Sequence, residues 1–325
     1  MGLAGRNISS DQNYFHFWQS GLTILVLTCL LQIKHCAMGK YSIKELEQLS
    51  GIKAHTIRIW EKRHRLIDPS RTATNIRFYS DQDLKKIINV SLLNNNGFKI
   101  SRIADMTVDE MNRRVLELGE QNNDINIHID QLVLAMIDME EEAFEKILNT
   151  LILRYSFEKT ITEIIYPFLE KIGLLWQTQN ITPAHEHFMS NLIRQKLMVA
   201  IDGLPLPPRT GRKILLFLPE GELHELGLLF YYFLTRKAGW RTYYLGQNVP
   251  HGDLLSVYNV HKPEVLLTSI TTSTSGDIKF YLRRLEEDFP DATILAAGYQ
   301  VHAFNGEKIG KVQTFRSAMD LRAFL

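Results

Sequence analysis

The sequence predicts a multidomain chain: an α-helical helix-turn-helix domain, a helical bundle, and an α/β domain of Rossmann-like (flavodoxin-like) type with a parallel sheet. Three observations predict it. First, charge is segregated. The net +1 over 325 residues hides a block, 40–100, with twelve basic against six acidic side chains, and a body, 101–325, with 23 against 29. Second, residues of about 129–202 show helical periodicity and few glycines. Third, beyond Lys213 short apolar runs alternate with amphipathic stretches, the pattern of βαβ units.

The composition, 45% hydrophobic and 22% charged, excludes a disordered, collagen-like or disulfide-rich chain. Two cysteines, Cys29 and Cys36, cannot build a disulfide framework, so a reducing cytoplasm is the expected setting. A basic module on an acidic body suits a polyanionic partner, with a chance local excess as the competing reading.

The most apolar run, 22–33, is shorter than the roughly 20 residues that span a bilayer. Asp11 upstream and the lack of a small-x-small site also depart from a secretory signal. From Met38 the chain reads as the start of a compact domain, so 1–37 is expected to be a leader produced by an upstream start. A membrane anchor at 22–33 ranks last among the readings, and no membrane partner is expected.

In 43–50, Ile43, Leu46 and Leu49 keep helical spacing, and Gly51 ends the stretch. Residues 54–64 resume a helix, with Ile57 and Trp60 inward and Thr56, Arg58 and Arg63 outward. Two helices joined by a tight turn form a helix-turn-helix, whose second helix would enter the major groove of double-stranded DNA. Residues 108–128 read as a linker without sustained heptads. The bundle follows at 129–202, with breaks at Pro167 and Pro183, and 203–211 is a Pro-rich linker. In 212–325 the strands are expected at 214–218, 242–245, 265–270 and 292–297, with helices at 225–237, 252–260 and 277–288.

The block Tyr41-Ser42-Ile43, Gly51, Thr56-Ile57-Arg58-Ile59-Trp60-Glu61, Asn75-Ile76-Arg77-Phe78-Tyr79-Ser80 and Asn96-Gly97-Phe98 resembles the MerR family of winged helix-turn-helix regulators. The resemblance places this domain at 38–107. It implies a wing at about 71–79 and a dimer on pseudo-palindromic promoter DNA. The candidate DNA contacts are Lys53, His55, Thr56, Arg58, Arg63, Arg71, Thr74, Asn75, Arg77 and Tyr79. Trp60 reads as core.

The first strand of the sheet domain is followed by Glu222-x-His224-x-x-Gly227, with no Gly-x-Gly-x-x-Gly. A histidine two residues from a carboxylate in a strand-to-helix loop is a metal-ligand arrangement, because the acid fixes the imidazole tautomer. A surface histidine near acids is the competing reading. The motif resembles the Asp-x-His-x-x-Gly of cobalamin-binding domains, with Glu for Asp. Segments with Gln247, Ser269-x-Thr271 and Ala297-Gly298 fall where those domains carry theirs. The resemblance implies His224 as the axial cobalt ligand, Gly227 beside the cofactor, and a slot for its nucleotide tail at Ser269, Thr271 and Gly298. Methyl groups at Thr271 and Ala297 would crowd that slot.

Trp176, followed after nine residues by Glu186-His187, resembles the cap of CarH-type light-sensing MerR repressors. In that group a histidine after the Trp can take the upper cobalt position. Here it is Gln177, and an amide oxygen is a poor ligand for cobalt(III) beside imidazole.

These readings combine into a transcriptional regulator, not an enzyme, that senses cobalamin (adenosylcobalamin or another form) and assembles with itself on promoter DNA. One alternative is the same regulator with a degenerate, cofactor-free C-terminal domain used for dimerisation or protein interaction. Another is a subunit of a cobalamin-dependent methyltransferase or mutase, opposed by the helix-turn-helix and by the lack of room for a substrate barrel.

Overall fold

The computed structural model describes residues 40–121, 124–177, 182–272, 277–303 and 310–325; the expected leader, 1–37, lies outside them. The chain divides into two compact units, one ending at Gln121 and one running from Asn122 to Leu325.

In the first unit, α1 (Ile43–Ser50) opens on a capping box between Ser42 and Glu45 and closes on Gly51 at φ +72°. Helix α2 (Ala54–His64) buries Ile57 and Trp60. A wing follows, built from β1 (Ser70–Arg71) and antiparallel β2 (Arg77–Phe78). Helix α3 (Asp81–Asn95), capped by Ser80 and Asp83, carries Leu84, Ile87 and Ile88 into the core. Helix α4 spans Ile100–Ala104.

The linker expected from 108 onward is instead helical: α5 spans Val108–Gln121. Thr107 and Glu110 cap it reciprocally, with Thr107 N–H donating to Glu110 Oε2 (2.9 Å) and Glu110 N–H to Thr107 Oγ1 (3.2 Å). Met111 and Val115 are buried, and Asn89 Nδ2 on α3 donates to Asn112 Oδ1 at 2.9 Å.

The second unit begins with helices. Asp124 caps α6 (Ile125–Ile137), four residues before the expected start. Helices α7 (Glu141–Tyr155) and α8 (Phe157–Thr160) follow. The break expected at Pro167 is absent. A π stretch, Ile161–Ile165, runs directly into α9 (Tyr166–Gln177). Proline offers no N–H, and the widened turn before it absorbs the missing bond. Pro183 begins α10 (Pro183–Asp202), a position where its missing donor costs nothing.

The sheet is parallel, in order β4-β3-β5-β6-β7. Its elements are β3 (Lys213–Pro219), α11 (Leu226–Lys237), β4 (Arg241–Val249), α12 (His251–His261), β5 (Val265–Ser269), α13 (Ile278–Asp288), β6 (Thr293–Ala297), α14 (Tyr299–His302), β7 (Gln313–Thr314) and α15 (Ala318–Phe324). Residues two apart share a face. Leu215, Phe217, Leu266, Ile294 and Ala296 therefore pack with Leu254 and Tyr258 of α12 and Leu282 and Leu285 of α13. Helix α11 covers part of the opposite face and meets the bundle. Phe233 stacks obliquely on Phe157 (centroids 4.9 Å apart), and Phe230 meets Tyr166 edge to face (5.7 Å).

Candidate functional site

Two sites take shape, one in each unit. In the first, α2 presents Lys53, His55, Arg58 and Arg63 as exposed side chains, with Thr56 half-buried. Its N-terminus is held by Glu47, whose carboxylate accepts from Ala54 N–H (3.1 Å) and pairs with Lys53 (3.0 Å). The wing turn exposes Arg71, Thr74 and Asn75. Asn75 takes the left-handed φ of +65°, and its Oδ1 accepts from Arg71 Nη1 at 2.8 Å. Lys53, His55, Arg58, Arg63, Arg71, Thr74 and Asn75 thus stand exposed on two neighbouring elements, as a phosphate-facing surface requires.

Tyr79 is a correction. It was expected among the phosphate contacts, and it is fully buried. Its backbone bridges Tyr41 in both directions at 2.8 Å, and its hydroxyl donates to Glu61 Oε2 (3.4 Å). Burial pushes that hydroxyl up to about 12, against the ordinary 10. Tyr79 is therefore a strut of the wing. Arg77 is half-buried, with its Nε 3.4 Å from Glu61 Oε1.

The second site lies in the loops at the carboxyl ends of the parallel strands, where such sheets bind ligands. Its centre is Glu222, which is fully buried. Oε1 accepts from the N–H groups of Leu223 and His224, both at 3.0 Å, and lies 2.7 Å from His224 Nδ1. Oε2 accepts from the N–H groups of Thr271 (2.7 Å) and Thr272 (2.8 Å) and from Thr272 Oγ1 (3.0 Å). One carboxylate thereby ties the loop after β3 to the loop after β5.

The carboxyl end of β4 joins them. Asn248, at φ +57°, accepts from Gly221 N–H through Oδ1 (2.8 Å) and donates its own N–H to the Glu222 carbonyl (3.2 Å). The bonding roles of Asn248 and Thr272 were not legible in the sequence, because their partners lie 27 and 50 residues away.

Burial works against ionising Glu222. Hydrogen bonds from the His224 ring, from Thr272 and His224 N–H, and from Thr271 N–H outweigh it and hold the carboxyl at about 2, well below its ordinary 4.5. The same hydrogen bond raises the imidazole pKa of His224. Desolvation opposes that rise, and the charges of Glu222 and Glu186 assist it. With Nδ1 on a carboxylate, Nε2 is the nitrogen left to face a ligand, and the side chain is 56% exposed.

Glu186 is thus brought to the His224 loop by α10. On that helix Ser190 Oγ donates to Glu186 Oε1 (3.0 Å), and one turn further Arg194 Nε lies 2.7 Å from Glu225 Oε1. His187 is exposed and pairs with Glu186 (3.0 Å). Trp176 and Gln177 belong to α9, but their side chains lie outside the described residues.

Gly227 borders open space, since a Cβ there would meet nothing within 4 Å. Gln247 is exposed, while Ser269 is buried and Thr271 half-buried. Ser269 and Ala297 pair across β5 and β6, which sets Thr271 and Gly298 at adjoining strand ends. Gly298, at φ +102°, packs its Cα against the Ile270 backbone so closely that a Cβ would collide with it. Among the described residues no cluster of three or more His, Cys, Asp or Glu can hold a bare metal ion. The His224 imidazole, with Nδ1 on the Glu222 carboxylate and the side chain exposed, suits a metal that brings its other ligands with it. No described helix is long and apolar enough to cross a membrane.

Comparison with known proteins finds matches in both units. Residues 41–109 match the family of MerR HTH regulatory proteins, and residues 128–200 match the B12 binding domain. The HTH-type transcriptional repressor CarH of Myxococcus xanthus is 26% identical over 288 residues, covering 82% of this chain and 96% of CarH. The repressor CarA of the same organism is 26% identical over 237 residues, covering 72% of this chain and 78% of CarA. The monomethylamine corrinoid protein of Methanosarcina barkeri shares the fold, with a TM-score of 0.51 at 18% identity over 62% of this chain and 98% of its own. The chain thus joins a MerR helix-turn-helix to a B12-binding domain and is homologous to both repressors.

Proposed function

We propose that this chain is a DNA-binding transcriptional regulator that senses cobalamin through its C-terminal unit. The observation that carries the reading is the Glu222–His224 pair: a buried carboxylate fixes Nδ1 at 2.7 Å and leaves Nε2 free in an exposed loop. In this reading His224 holds the cobalt, Glu222 sets its tautomer and basicity, and Glu186 and His187 face the cofactor from α10, with Trp176 on α9 beyond. Ser269, Thr271, Gly298, Gly227 and Gln247 border it. When bound, the group would supply a cobalt centre with exchangeable ligation. The chain's residues orient that group and register its presence.

CarH and CarA are named as transcriptional repressors, which supports a regulator over an enzyme and repression as its sign. We infer a cytoplasmic protein, and assembly with itself on paired half-sites of promoter DNA, where linked binding multiplies affinity.

Gel filtration of the chain after incubation with adenosylcobalamin or hydroxocobalamin tests the reading. Cobalamin absorbance should co-elute with the protein and be lost in His224→Ala. Absence of bound corrinoid in the unaltered chain with either form would overturn it. The adenosyl form and the light response are read by recording the spectrum and the elution volume in the dark and after illumination.

A further inference from the structure

The Glu61 carboxylate lies between the second helix of the helix-turn-helix and the wing. It belongs to α2, its side chain is only 16% exposed, and each oxygen takes one residue of the wing. Oε1 is 3.4 Å from Arg77 Nε, and Oε2 accepts the Tyr79 hydroxyl at 3.4 Å. Arg77 is divided here: its Nε is buried, within ion-pair range of Glu61 but without a hydrogen-bond partner, while 37% of the side chain stays exposed. Arg58, one turn before Glu61, lies within electrostatic reach of the same Tyr79 hydroxyl.

A largely covered acid beneath a DNA-facing surface needs a reason, because its charge repels phosphate. We propose that Glu61 is the positioning residue of the DNA reader. It docks the inner edge of the Arg77 guanidinium, turns the two Nη groups outward as a fork for one phosphate, and locks the wing to α2 through Tyr79. A planar guanidinium with its inner edge against a fixed carboxylate charge loses little further freedom when the fork binds. The inference rests on the reading of Arg77 as a phosphate contact.

The test measures affinity and its salt dependence for a duplex selected from a random-sequence pool by the unaltered chain. The variants are Glu61→Ala, Glu61→Gln, Arg77→Ala and the Glu61→Ala/Arg77→Ala pair. Simple charge removal predicts tighter binding when Glu61 is neutralised. Positioning predicts the opposite. Affinity should fall roughly tenfold, the slope of log affinity against log salt should fall by about one, and Arg77→Ala should add little on top.

Glu61→Gln keeps the shape and the acceptor for Tyr79, so it carries the test if the alanine variant does not fold. Unchanged or tighter binding, or full additivity with Arg77→Ala, overturns the positioning role. If Arg77→Ala itself leaves the slope unchanged, the wing reading fails instead, and the two failures are told apart.

Discussion

Glu222 shows what one side chain can organise. Its carboxyl is ionised at about 2 in the fold and near 4.5 when unfolded, so its contribution is complete above 4.5 and lost as pH falls toward 2. The shift corresponds to about 3 kcal/mol. The raised His224 behaves in the opposite sense. Its contribution is complete below the ordinary 6.5 and fades as pH climbs through the raised value. Urea unfolding of the 122–325 unit at stepped pH should show stability falling between 4.5 and 2, and Glu222→Gln should flatten that fall. A curve that keeps its full slope in the variant would place the titration elsewhere.

Gly298 gives a second prediction at this scale. With φ +102° and the Ile270 backbone against its Cα, Gly298→Ala should cost about 1–3 kcal/mol in the same measurement. A loss of a few tenths would mean that the strand ends yield.

At the scale of elements, α1 and α2 of the first unit and four of the parallel strands were legible because apolar spacing and terminal residues agree there. Ser42, Gly51 and Ser80 stand where caps belong, and the runs of 214–218 and 265–267 are continuous and apolar. Strand β7 was missed because it is two residues long and exposed. Helix α5 was missed although Thr107-x-x-Glu110 is a capping signature. Its buried face is narrow, and its stability comes from packing on α3.

Thr107→Ala should lower the thermal stability of the first unit by about 1 kcal/mol, checked by denaturant titration. No change would show that tertiary packing alone holds the helix start. Tyr79 was misread for a related reason. A tyrosine in a basic strand looks like a DNA contact until Tyr41, 38 residues earlier, is known to bridge its backbone. The Glu222–His224 pair was legible only through the motif it resembles, and its hold on Thr271 and Thr272 joins loops some 50 residues apart.

For the whole molecule, a net charge of +1 is a cancellation between a basic reader and an acidic body. The acidic body is discouraged from lying on DNA, and salt dependence of binding should follow the first unit alone. Ligand that binds only the folded C-terminal unit stabilises it by mass action, about 2.7 kcal/mol at a hundredfold excess over Kd. Calorimetry with and without hydroxocobalamin should raise the transition of the 122–325 unit and leave that of the first unit in place. Two transitions moving together would show that the units unfold as one, and a thermogram indifferent to the ligand would count against binding.

The knot of bonds at Glu222 also has a consequence in time. Backbone amides in loops usually trade their hydrogens with water quickly. Those of Leu223, His224, Thr271 and Thr272 all end on a single buried carboxylate. In deuterium oxide these four should exchange slowly and at a common rate, as one small cooperative patch spread over two distant stretches of chain. Below the pH at which Glu222 takes up its proton, all four should quicken at once.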